Sequence, residues 1–171
     1  MSEVKPLMPE PWLRGTLRGV PAVQRGVLHA LQLAQEDLAK WCRPLTEEQL
    51  IARPGRLPPV AFHLRHIARS MDRLLTYAEG RPLGEAQVAA LKSEMDAEVG
   101  SDGLFAELDS AFARSIDRVR ALASADLGEE RVVGKNQLPT TLGGLLVHVA
   151  DHTQRHVGQA ITTAKVVTGM K

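Results

Sequence analysis

Apolar residues recur along this chain at three- and four-residue intervals in four long stretches, and almost nowhere do they alternate with polar ones. Residues three or four apart share one face of an α-helix, so each stretch reads as an amphipathic helix. The first is predicted over 20–41, with Pro21 in its first turn and a stripe of Val27, Leu28, Leu31, Ala34 and Leu38. His29 falls on the opposite face and reads as a solvated surface residue. The second begins at Pro58 or Pro59 and runs to 79, where Gly80 and Pro82 stop it. Its stripe is Val60, Ile67, Met71, Leu74 and Ala78, flanked by Leu64. The third, over 104–123, has the cleanest pattern: Leu104, Leu108, Phe112, Ile116 and Val119. After Pro139, Thr140 or Thr141 can cap a fourth helix that extends to 167 and carries Leu142, Leu145, Leu146, Val149, Val157, Ala160 and Ala164.

Four helices of about 20 residues, each about 30 Å long, with no internal repeat, predict an all-α four-helix bundle. The connections differ in length. Residues 42–57 hold Pro44, Pro54 and Gly55, and Thr46-Glu47-Glu48-Gln49 can cap one short turn. The stretch 81–103 is long and is expected to contain an extra short helix, because Val88, Leu91 and Met95 recur at helical spacing. Residues 124–139 read as a polar loop around Gly128 and Gly134. Residues 1–19, broken by Pro6, Pro9 and Pro11, form an irregular arm that Trp12 and Leu13 can dock, ahead of a single bundle domain over 20–171.

Composition narrows the picture. Aromatic residues are only 4% of the chain, so the core must come from Leu, Val, Ile, Ala and Met. The 21 basic residues are interspersed with 20 acidic ones, for a net charge of +1, which leaves no basic stripe for a phosphate backbone and excludes nucleic acid as a partner. Cys42 is the only cysteine, so there is no intramolecular disulfide and the chain fits a reducing compartment; a nucleophilic role for it is a minor alternative. No apolar run is long enough for a membrane span or a signal peptide. A soluble, cytoplasmic protein with no membrane partner is expected.

The chemistry lies in the histidines. Five of the six stand in two clusters: His63 and His66 on the second predicted helix, and His148, His152 and His156 on the fourth. At about 100° per residue, His152 and His156 lie along one border of the apolar stripe, with His156 nearer its centre. His148 rotates further out and suits the rim. His63 lies within the edge of the second helix's stripe and His66 at its border, so periodicity alone does not choose between them and slightly favours His63 as the more buried. Two imidazoles from one helix and one from another make a three-histidine metal centre with a vacant position. The segment His152-Thr153-Gln154-Arg155-His156 lacks the glutamate of the protease motif H-E-x-x-H, and Asp151 points to another face. Gln159 lies nearly in line with His152 and His156, where it could hydrogen-bond an imidazole or a bound species.

Two segments carry a resemblance: Phe62-His63-Leu64-Arg65-His66-Ile67-Ala68, and His148 through Gln159, which is similar to the signature H-x-x-x-H-x-G-Q. The chain resembles the DinB/YfiT-like superfamily of metal-binding four-helix bundles, over residues 20–168. The resemblance implies an up-down-down-up bundle and one divalent metal ion, nickel or zinc, held by His66, His152 and His156 with water completing the shell. It settles the choice in favour of His66, because the family's ligand precedes a hydrophobic-Ala pair like Ile67-Ala68. His63, His148 and Gln159 would then stand behind or beside the ligands. Relatives include thiol S-transferases using bacillithiol, mycothiol or glutathione, a mycothiol-dependent maleylpyruvate isomerase, and proteins described as metal-dependent hydrolases.

Three functions follow as expectations. The first is a metal-dependent enzyme that activates a low-molecular-weight thiol for transfer to a small electrophilic substrate; a coordinated thiol is deprotonated outright, so no protein base is needed. The second is metal-dependent hydrolysis, which is served by a nearby base that these helices do not supply. The third is a non-catalytic metal-binding or stress-related module. A homodimer is compatible with each.

Overall fold

In the computed structural model, which describes residues 8–95 and 100–169, the four stripes become four long helices joined by shorter elements. In chain order these are α1 (Ala22–Trp41), α2 (Glu47–Ile51), α3 (Val60–Ala78), α4 (Glu85–Lys92), α5 (Ser101–Ala121), strands β1 (Glu130–Val133) and β2 (Leu138–Thr141), and α6 (Leu142–Thr168). Local chemistry marks the boundaries. Pro21 precedes α1 and Pro59 precedes α3, each with an extended ψ that starts a helix rather than continuing one. Thr46 and Gln49 close a reciprocal capping box on α2. Thr141 accepts a hydrogen bond from the Gly144 amide at the start of α6, and Gly169, at φ 65°, ends it in the left-handed conformation.

Side-chain contacts give the directions of the long helices. Gln154 donates to the Ala30 carbonyl and the Lys165 ammonium lies 4.4 Å from the Trp41 ring centroid, so α1 and α6 run parallel. His63 meets His156 while His66 meets His152, so α3 is antiparallel to α6. Arg69 pairs with Glu107 and Arg118 with Asp72 and Glu79, so α3 and α5 are parallel. Gln24 reaches the Leu122 carbonyl and Arg43 reaches Asp109, so α1 and α5 are antiparallel. The bundle is up-down-down-up, and the parallel α3–α5 pair explains the long crossover at 79–100, since the chain must return the length of the molecule.

The core is continuous. Every residue assigned to the stripes of the first and fourth helices is buried, as are Leu64, Ile67, Met71 and Ala78 of α3 and Leu104, Leu108, Phe112 and Val119 of α5. Leu75 rather than Leu74 completes the α3 stripe, and Ile116 is only partly buried.

Two expectations are corrected, and a third holds for a different physical reason. The loop at 124–139 contains an antiparallel hairpin, Glu130 to Val133 against Leu138 to Thr141. Its strands are short and mostly exposed and one includes Pro139, so no alternating apolar signal marks them. Its work is at a helix end: the Arg131 guanidinium donates to the Ala78 carbonyl at 2.7 Å, satisfying the C-terminus of α3. The short helix in the crossover exists, but Val88, Leu91 and Met95 are 38%, 46% and 43% exposed. Polar ties hold it instead: Gln87 donates to Asp72 and Thr76, and Arg69 donates to the Ala90 carbonyl and Ser93. His29 is buried at 6% exposure because the N-terminal arm lies over that face of α1; its Nε2 is 3.2 Å from the Thr16 hydroxyl, and Arg14 pairs with Glu36 on the same helix. No described helix is long and apolar enough to cross a membrane.

Candidate metal centre

The antiparallel packing of α3 on α6 places two helix faces of histidine against each other. His66 Nε2 stands 2.9 Å from His152 Nε2, and His63 Nδ1 stands 3.2 Å from His156 Nδ1. The His66 ring centroid is 4.2 Å from that of His156, and the His152 and His156 centroids are 4.7 Å apart. His66, His152 and His156 each offer one nitrogen within 4.8 Å of the other two. Imidazole nitrogens sit about 2.0–2.1 Å from a bound zinc, so one ion can span such a trio with small side-chain adjustments. The Phe62 ring stacks on His66, with centroids 5.5 Å apart, and covers one side of the cluster.

Protonation favours a cation here. Burial, reinforced by the neighbouring imidazoles, pushes His152 and His156 down to about 4, so both are neutral near pH 7 and keep a lone pair. His63 is also driven down to about 4 by burial and by His66. His66 Nδ1 is 2.7 Å from a carboxylate oxygen of Glu94. When that nitrogen carries the ring proton and donates a hydrogen bond to the carboxylate, Nε2 presents a lone pair to His152 Nε2. Two lone pairs at 2.9 Å repel, so either a proton or a cation lies between them. The other nitrogen of His152, Nδ1, is buried and has no hydrogen-bond partner among the described residues. With His66 Nδ1 turned to Glu94, the proton between the two rings belongs to His152 Nε2 in the metal-free chain, and it moves to Nδ1 or to solvent when an ion takes its place.

The remaining sequence candidates separate clearly. His63 is the more deeply buried of the α3 pair, as periodicity predicted, and it backs His156 rather than joining the trio. His148 sits at the rim, its ring centroid 5.2 Å from that of His152 and its Nδ1 2.8 Å from Asp151. Gln159 is exposed and makes no hydrogen bond to the histidines; the helix turn beyond His156 carries it out of reach. Cys42 is fully buried in the core, and burial pushes its thiol up to about 12, which removes it as a nucleophile.

One residue of the site escaped the sequence. Glu94, just beyond α4, is buried at 4% exposure, with one carboxylate oxygen on His66 and the other 2.7 Å from the Arg73 guanidinium. Burial alone would raise its pKa, but the hydrogen bonds from His66 and Arg73 hold it below the usual carboxylate range. It lies 28 residues from His66 along the chain, on a connection whose apolar spacing pointed to other positions, so no local pattern could reveal it.

A family model for the DinB superfamily matches residues 30–160, which run from the middle of α1 to just past Gln159 and include both histidine clusters. The chain belongs to the DinB superfamily. Membership and the three-histidine cluster together fit metal binding. Comparison with curated proteins gives no match. In this DinB-superfamily chain the three candidate donors are all imidazole nitrogens, a set unlike the oxygen ligands that calcium and magnesium favour.

Proposed function

We propose that His66, His152 and His156 hold one divalent ion, nickel or zinc, and that the protein is a thiol S-transferase using a low-molecular-weight thiol against a small electrophile. Three protein ligands leave a position for a small molecule, whereas structural zinc is usually closed by four. An ion in such a site supplies deprotonation of a coordinated thiol near neutral pH. The chain's own contribution is to keep the imidazoles neutral by burial and to shield one side of the cluster with Phe62.

The observation that carries the choice of chemistry is the state of the nearby carboxylates. Both Glu94 oxygens are engaged, by His66 and Arg73, and Asp151 faces solvent beside His148 and Arg155. Neither is free to take a proton from an attacking water. That favours thiol transfer, in which the ion does the deprotonation, over hydrolysis, in which a free base usually helps.

Native mass spectrometry with metal analysis of the full chain is expected to give one zinc or nickel ion per chain. Bacillithiol, mycothiol and glutathione are then each incubated with a chromogenic electrophile, with and without the ion. Ion-dependent conjugation of one thiol supports the reading. A metal-loaded protein that conjugates none of them but hydrolyses an ester or amide would replace it with the hydrolase.

A further inference from the structure

The three candidate ligands differ in what stands behind them. The rear nitrogen of His66 faces the Glu94 carboxylate at 2.7 Å, that of His156 faces the His63 imidazole at 3.2 Å, and Nδ1 of His152 faces no partner among the described residues. Only one of the three is backed by a charge, and that charge is itself anchored. Arg73 lies two turns along α3 from His66 and reaches the second Glu94 oxygen at 2.7 Å, with both side chains largely buried. The crossover that delivers Glu94 is pinned just upstream, where Arg69 holds the Ala90 carbonyl and the Ser93 hydroxyl. A carboxylate held from two sides in this way has one orientation available.

We infer that Glu94, clamped by Arg73, is a positioning residue for His66: it accepts a hydrogen bond from Nδ1–H and thereby fixes the Nε2 lone pair toward His152 and His156. This rests on the reading of His66 as a metal ligand. A carboxylate behind a ligating imidazole sets its tautomer, holds the ring plane and raises its basicity. Of the three imidazoles His66 is then the one whose donor lone pair a charged group orients in advance, while His152, with no partner on Nδ1 among the described residues, adjusts to it. The crossover thus contributes to the metal centre without supplying a ligand.

The test compares Glu94→Gln with His66→Ala in the full chain, using zinc(II) as the probe and a chromophoric chelator as competitor. Glu94→Gln keeps the size of the side chain but removes the charge, and its amide can donate to Nδ1 and drive the proton onto Nε2. Zinc affinity is expected to fall about 10- to 100-fold, with cobalt(II) in place of zinc giving a shifted visible absorption band, while His66→Ala lowers affinity further. Wild-type affinity in Glu94→Gln, alongside a loss in His66→Ala, overturns the positioning role and leaves the metal centre standing. Wild-type affinity in His66→Ala overturns both. Nitrogen-15 NMR of the metal-free wild-type chain at pH 7.5 checks the same point without a variant. His66 protonated at Nδ1 supports the inference, and His66 protonated at Nε2 overturns it.

Discussion

The α3–α6 interface has two halves that obey different rules. Along the C-terminal half of α3 and the N-terminal half of α6 the inward residues are Met71, Leu75 and Ala78, and Leu142, Leu145, Leu146 and Val149, all buried in one core. Where the N-terminal half of α3 crosses the middle of α6, His63 and His66 meet His152 and His156 through single nitrogen atoms. The apolar half is non-directional: its stabilisation scales with area removed from water, and many side chains share it. The histidine half is directional, and the geometry of one ring depends on a carboxylate from a different part of the chain. A bundle built this way keeps its fold in one place and its chemistry in another, so each can be removed separately.

The largest effect is expected in the apolar half. Leu75 is fully buried, and Leu75→Ala should cost about 2–5 kcal/mol through lost transfer energy and the cavity left behind, read as a lower urea midpoint in metal-free protein. Zinc affinity of the molecules that remain folded should be unchanged. A parallel loss of affinity would show that the two halves are coupled.

His152→Ala tests the converse. It should abolish metal binding and thiol conjugation while the metal-free protein keeps its helical circular dichroism, because His152 contributes no hydrogen bond through Nδ1 and the core beside it is intact. What disappears is the stabilisation that a bound ion confers, about 2.7 kcal/mol when free ion is at 100 times its dissociation constant. Unfolding of the metal-free variant at room temperature would make the histidine half structural.

How much of this contrast the sequence carried follows from the physics of each half. Stripes such as Val27-Leu31-Leu38 and Leu142-Leu146-Val149 repeat a short-range signal over about two to three turns each, so four helices and their inward faces were legible. His152 and His156 were legible for the same reason, being one turn apart. His66 over His63 was not, since burial favoured His63; the resemblance to a family selected it, and the structure shows the border residue meeting both α6 histidines while the buried one stands behind. Glu94, the hairpin and the burial of His29 depend on segments far apart in sequence meeting in space, which no local period encodes.

Acid should weaken the histidine half first. In the folded chain His63, His152 and His156 are held down to about 4, against 6.5 for an unperturbed histidine. The unfolded chain therefore binds more protons between these values, and metal-free stability should be fully present above pH 6.5 and fall as pH drops toward about 4. Urea midpoints of metal-free protein at pH 7.5, 5.5 and 4.5 should decline, and less steeply in His152→Ala. A flat profile would mean that these imidazoles are not desolvated. The same depression means that protons do not compete with an ion for His152 and His156 until well below pH 6.5.

The smallest effect should come from Gln159. Helical phase lines it up with His152 and His156, yet it is exposed and hydrogen-bonds to neither, because it lies about a turn beyond His156 along α6. Glu94 has no sequence relation to the histidines and is buried against His66. The comparison therefore sets phase against contact. Gln159→Ala should change stability by no more than about 0.5 kcal/mol, as for a surface residue with no special role, and should leave zinc affinity at the wild-type value in the chelator competition that detects Glu94→Gln. A loss of affinity on removing the Gln159 amide would mean that it swings onto the ion or its ligand in the loaded protein, and that position along α6, rather than contact in the folded chain, marks the residues that serve the site.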